Sequence, residues 1–343
     1  MILAAGPNGG WTYRDRVAPA EAGQAISAFY ASRHPHSDRA TWLGRLAAGE
    51  IECNGRRLAA DGPLAVGDRL AWHRPPWWEE AVPGAWGLVH DDGDLQVIDK
   101  PAGLPVLPAG GFLEHTVLRL LERRHRNDPA GVPRPVHRLG RFTTGLLVCA
   151  RRPATRAWLS ALLRESTAAA GALATEGCHK VYRALLEPGA LALAPGASLR
   201  FEGAIRRRAH PRLGWIWCAA GSDLPSDLPG DRATDLPACS TLTLLERHPA
   251  ADLVAVAIAS GRPHQIRIHC AALGAPLLGD PLYLPGGSAR PEALPGEGGY
   301  QLQAWRLMLL RPDGSCLRVE APAPLSLPEA PRVPPAGRGD GHC

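Results

Sequence analysis

The chain has 343 residues, 45% of them hydrophobic, with a net charge of +5 and a pI near 8.9. That length can bury a sizeable core and favours two domains, and no run approaches the roughly 18 apolar residues of a membrane span. Mild basicity is compatible with a nucleic-acid partner without requiring one. The first residues carry no basic segment ahead of their short apolar run, so a cytoplasmic protein without a secretory signal is expected. Eight cysteines (53, 149, 178, 218, 239, 270, 316 and 343) form no C-x-x-C pair and no zinc spacing. They read as reduced structural residues, with Cys149 and Cys270 inside apolar runs, and no metal is expected.

In chain order, residues 18–49 carry helical spacing. Ile26, Phe29 and Tyr30 share one face, Trp42, Leu43 and Leu46 a second, and Gly49 is a fitting stop. EIECNGRRLAADGPLAVGDRLAW then predicts short strands broken at Asn54-Gly55 and Gly67-Asp68. Residues 18–72 therefore read as a small α+β module with arginines at its edges, preceded by an N-terminal segment, 1–17. The Pro- and Trp-rich stretch 73–87 reads as a semi-rigid linker.

A larger domain, 88–323, follows. It opens with a strand and a Pro/Gly-rich loop carrying Lys100, then a helix over 113–126. VHRLGRFTTGLLVCARR (136–152) is a cationic loop running into an apolar strand. A helix through Trp158, Leu159, Leu162 and Leu163 comes next. Segments 166–178 and 222–238 read as polar insertions on either side of the strand KVYRALLEPG. DLVAVAIASGRPHQIRIHCAALG gives a strand, a turn and a helix. YQLQAWRLMLL and SCLRVEAPAP close the sheet, and 324–343 reads as a disordered tail. Only two lysines, Lys100 and Lys180, stand among the 38 Lys and Arg residues. An arginine excess of this kind follows from GC-rich coding, and it makes each surviving lysine a place to ask what a compact ammonium does.

The loop 136–144, Lys180-Val-Tyr182 and SGRPHQIRIHCAALGAPLLGDPLY (260–283) together resemble the RluA-like RNA pseudouridine synthases. The family's first motif reads H-R-L-D-x-x-T-S-G-L-L-L, where this chain has H-R-L-G-R-F-T-T-G-L-L-V. Its K-x-Y is matched by Lys180 and Tyr182. Its G-R-x-H-Q-I-R-x-H…G-D-x-x-Y is matched by Gly261, Arg262, His264, Gln265, Ile266, Arg267, His269, Gly279, Asp280 and Tyr283. The resemblance covers about 88–324, and the N-terminal module is similar to S4-type RNA-binding units. It implies an α+β fold: a mixed, largely antiparallel sheet with flanking helices. It also implies an enzyme acting as a monomer without cofactor or metal, which isomerises uridine to pseudouridine in rRNA or tRNA. In the family a motif aspartate acts at the sugar, the tyrosine stacks on the base and the arginine of H-Q-I-R pairs with the aspartate. Carried across, Tyr182 is the stacking ring and Arg267 the cation, while His137, Arg138, Arg141, Thr144, Lys180, Arg262, His264 and Gln265 bind RNA.

Position 140, where the aspartate belongs, is glycine, which supplies neither nucleophile nor base. Arg267 is then expected to lack its anion, a costly state for a buried cation. Three accounts stay open. Another carboxylate serves, with Asp280 the first candidate and Asp99 the second. Alternatively, the protein binds RNA without isomerising it. Or Gly140 is a lesion, against which stand the intact neighbouring motifs and a subgroup of the family that reads H-R-L-G-R-x-T-S-G.

Overall fold

The structure, a computed structural model, describes residues 1–34, 37–168, 178–220, 235–294, 296–325 and 327. Most of the expected insertions at 166–178 and 222–238, and most of the expected tail at 324–343, lie outside those residues.

The N-terminal unit places helices Ile26–Arg33 and Arg39–Ala47 on a four-stranded sheet. The second helix starts where Asp38 accepts the Thr41 amide at 2.8 Å, satisfying a donor the helix itself cannot. Tyr30 and Trp42 are fully buried and stacked at 4.6 Å, filling the space between helices and sheet. The strand Trp11–Arg16, expected to lie outside the module, pairs along its whole length with Arg69–Arg74. It is held there because Tyr13 stacks on Trp72 at 4.9 Å. The stretch expected as a linker is likewise fastened. Trp78–Glu79 pairs with Gly6–Pro7, and Val82–Pro83 pairs with Ile2–Leu3. The buried Glu79 carboxylate accepts the amides of Glu114 and His115, tying this stretch to the larger domain.

The larger domain is built on a sheet whose main path runs Ser198–Glu202, Cys239–His248, Ala251–Ile258, Cys178–Leu186, Leu302–Leu310, Thr144–Ala150, Leu95–Lys100 and Gly87–Asp91. Every neighbouring pair on that path is antiparallel except one. Thr144–Ala150 and Leu302–Leu310 run parallel, in register at Thr144 with Gln303 and Gly145 with Ala304. The sheet is therefore two antiparallel lobes joined at a short parallel seam, the mixed and largely antiparallel fold expected.

One core forms where Leu120, Leu121 and Leu159, from helices Val117–Arg124 and Pro153–Ala168, meet Leu95, Val97 and Leu147. The other forms where helix Gln265–Ala272 sets Ile266 and Cys270 against Leu242, Val256 and Leu302. Cys149 and Cys270 are fully buried, as apolar residues would be. Arg151, just past the strand Thr144–Ala150, is locked in two bonds of 2.8 and 2.9 Å to Asp91. No described helix is long and apolar enough to cross a membrane.

Candidate active site

The motif loop is held at both ends. Lys100 has no exposed surface, and its ammonium donates to the carbonyls of Pro101, Leu104 and Arg141 at 2.8, 2.9 and 2.9 Å. Three carbonyls converge on one nitrogen, an arrangement that a compact ammonium with three protons matches. Burial and the nearby Arg141 guanidinium lower its pKa to about 7. Lys100→Met is expected to lose about 3 kcal/mol, because three buried carbonyls lose their donor; urea unfolding measures it. A variant as stable as wild type would mean the clasp is dispensable.

At the strand side of the loop, His137 Nε2 accepts the Val148 amide at 3.0 Å. Burial, with Lys180 adding to it, lowers the His137 pKa to about 4, so the ring is neutral with its proton on Nδ1. His137 therefore braces the loop and is not a base facing substrate. Inside the loop, the Thr143 amide bonds the Gly140 carbonyl at 3.1 Å, closing a tight turn with Gly140 exposed at its outside.

Across the seam, Ala304 is in register with both Gly145 and Tyr182, so the K-x-Y strand and the motif strand flank the same residue. His137, Leu146, Lys180, Tyr182, Ala304 and Leu307 line a recess there. Its walls are largely apolar, and its volume of about 20 Å³ is that of one water molecule. Burial pushes the Tyr182 hydroxyl up to about 12 and lowers the Lys180 ammonium. Tyr182 is thus a neutral ring.

Arg267 is not without its anion. Its Nε and Nη2 donate to the two oxygens of Asp280, each at 2.7 Å, with both side chains buried. Burial alone would raise the Asp280 carboxyl, but Arg267 and the amides of Tyr283 and Leu282 outweigh it and hold it low. Asp280 also holds its own turn, because its Oδ1 accepts those two amides. With all its bonds directed inward, Asp280 is closed as a substitute carboxylate. Asp99 lies on Leu95–Lys100, its Cβ 3.5 Å from where a side chain on its cross-strand partner Gly87 would begin, and burial raises its carboxyl.

Other expected RNA contacts are engaged within the protein. Gln265 is buried and bonds Ser260, Arg262, Cys239 and Ser240, so it cannot reach RNA. Arg141 donates to Gly103 and Glu80 and lies over Phe112. Arg262 donates to Pro237, and the Thr144 hydroxyl to Leu302 at 3.4 Å. Arg138 is exposed beside the cleft.

His264 takes a left-handed backbone, φ +54°, at the start of its helix, a strained state for any residue but glycine. The Tyr283 hydroxyl donates to the Trp217 carbonyl at 2.7 Å, so His264 donates to it from Nδ1 at 2.9 Å and keeps Nε2 as an acceptor. Burial, Arg267 and Arg138 lower the His264 pKa to about 3. His269 is buried between Ser240 and Gly203, with both ring nitrogens engaged.

Tyr300 was not among the expected site residues. A Cβ built on Gly140 would lie 2.6 Å from its hydroxyl oxygen and 3.2 Å from Thr143 Oγ1. The Arg267 guanidinium covers its ring at 4.3 Å. No spacing in the sequence signals this, since Tyr300 follows a Gly-rich stretch far from all three motifs.

A model of the RNA pseudouridylate synthase family matches residues 94–272. An uncharacterized RNA pseudouridine synthase of Synechocystis sp. is 38% identical over 87% of this chain and 94% of its own length. RNA pseudouridine synthase 5 of Oryza sativa subsp. japonica is 33% identical over 92% of this chain and 88% of that protein. The solved structure of human RNA pseudouridylate synthase domain containing 1 covers 70% of this chain and 84% of its own, with a TM-score of 0.50 at 22% identity. That last likeness bears on the fold alone. With the motif loop, the K-x-Y strand and the Arg267 helix gathered at one seam, this chain belongs to the RNA pseudouridylate synthase family.

Proposed function

We propose that the protein isomerises uridine to pseudouridine in structured RNA, either rRNA or tRNA, without cofactor or metal. The observation that carries this is the seam, where Ala304 is in register with Gly145 of the motif strand on one side and with Tyr182 of the K-x-Y strand on the other. A flipped uracil stacks on Tyr182, with extrusion from the RNA costing a few kcal/mol. RNA-facing surface is supplied by Arg138 and by the hairpin Ile205–His210 and Gly214–Ala219, where exposed Arg207 lies 4.5 Å over the ring of exposed Trp215. The Trp217 carbonyl ties this hairpin to Tyr283, itself beside Arg267.

Release of tritium from RNA labelled at carbon 5 of uridine tests the reading, with rRNA and tRNA of the source cell assayed separately. Wild type should release label from one pool. Tyr182→Ala should lower release roughly 10- to 100-fold, the worth of one base stacked on an aromatic ring. One observation favours a second reading, an RNA-binding homologue that does no chemistry: no carboxylate projects from Gly140. Wild type that binds RNA tightly yet releases no label from either pool would establish that reading instead.

A further inference from the structure

Two glycines and two aromatic rings interlock where the segment 296–300 crosses the motif loop. A Cβ on Gly298 would strike the Phe142 ring at 2.3 Å, and a Cβ on Gly140 would strike the Tyr300 hydroxyl at 2.6 Å. Each strand thus lacks a side chain where the other supplies a ring, and the two rings meet edge to face at 6.3 Å. Gly140 has negative φ and is needed for space, not for backbone freedom. Tyr300 is 7% exposed, and its hydroxyl lies 3.5 Å from Thr143 Oγ1, beside the exposed Gly140.

We propose that the Tyr300 hydroxyl, which occupies the space a side chain at 140 would fill, is a catalytic group of this site, and that Gly140 is glycine to admit it. The inference rests on the isomerase reading above. In the reaction the bond from ribose C1′ to uracil N1 breaks, its electron pair leaving with the base. C1′ then bonds C5, the hydrogen at C5 departs to solvent and N1 takes a proton from solvent. The phenol donates a hydrogen bond to a carbonyl oxygen of the departing uracil, stabilising the charge that develops there, and remains a phenol throughout. The Arg267 guanidinium on its ring face holds it in place.

Tyr300→Phe removes one atom and keeps the ring. It should lower kcat for tritium release about 100-fold, as loss of one preorganised donor does, with KM for RNA and Tm unchanged. Removing the hydroxyl also clears position 140, where the next obstacle is Thr143 Oγ1 at 3.2 Å. Gly140→Ala should therefore lower Tm in the wild type and do so by less in the Tyr300→Phe background, a coupling that neighbours in contact show. Tyr300→Phe with kcat within threefold of wild type, while Tyr182→Ala loses activity, would overturn the role of Tyr300 and leave the isomerase intact. Additive Tm effects at 140 and 300 would remove the claim that glycine makes room for the phenol. A wild type silent on both RNA pools would bring down this inference together with the isomerase reading.

Discussion

Gly145→Ala is expected to destabilise the protein by about 4 kcal/mol, from left-handed strain and overpacking combined. Gly145 has φ +93°, and a Cβ there would lie 2.2 Å from the Ala304 carbonyl oxygen and 2.9 Å from its carbonyl carbon. Both obstacles are backbone, so no rotamer change relieves them. The residue sits at the parallel seam, where the two antiparallel lobes meet over the pairs Thr144–Gln303 and Gly145–Ala304. Pushing these strands apart separates the motif loop from the Tyr182 strand and loses the recess between them. About 4 kcal/mol is a large share of the 5–15 kcal/mol by which domains are stable. Urea unfolding with a matched m-value measures the change, and an unaltered midpoint would show that the seam yields easily.

Arg267→Met should destabilise the protein by about 3–5 kcal/mol at neutral pH, because it leaves the Asp280 carboxylate buried without its cation. The pH dependence separates this from simple loss of packing. In wild type the Asp280 carboxyl is held below its ordinary value, so its contribution is present above the carboxylate range and is lost as pH falls through the folded pKa. Without Arg267, burial prevails and the carboxyl rises, so the folded variant gains stability as pH falls and the group is protonated. The gap between wild type and variant is therefore widest near neutrality and narrows as pH drops through the carboxylate range. A gap constant with pH would mean that Asp280 is not what the substitution exposes. Arg267→Met/Asp280→Leu should recover part of the loss, since replacing both partners removes the buried charge altogether.

Some of the site was legible in the residues themselves. Three motifs in order named the family. Tyr182, Lys180 and His137 do line one recess, and the alternation and helical spacing of 88–323 announced an α+β domain. The roles of several motif residues were not legible, because a motif records which residue is needed and not which way it points. Gln265 reads as polar and therefore available, yet its amide is spent on Ser260, Arg262, Cys239 and Ser240. Arg141 reads as an added cation for RNA, yet it is bonded to Gly103 and Glu80. Arg267 reads as orphaned once position 140 is glycine, yet Asp280, thirteen residues on, takes it in two bonds.

By itself the sequence determined the family and the class of fold, because these follow from local pattern and from residue types at short spacing. Only the tertiary structure decided what Gly140 means. Its neighbour Tyr300 lies far along the chain, and the space between a missing Cβ and a distant hydroxyl exists only once the segment 296–300 crosses the motif loop. The Lys100 clasp has the same origin, since its third acceptor, the Arg141 carbonyl, is brought to it by the fold. Excluded volume and hydrogen-bond closure between remote segments have no periodicity, and so leave no mark that a linear reading can find.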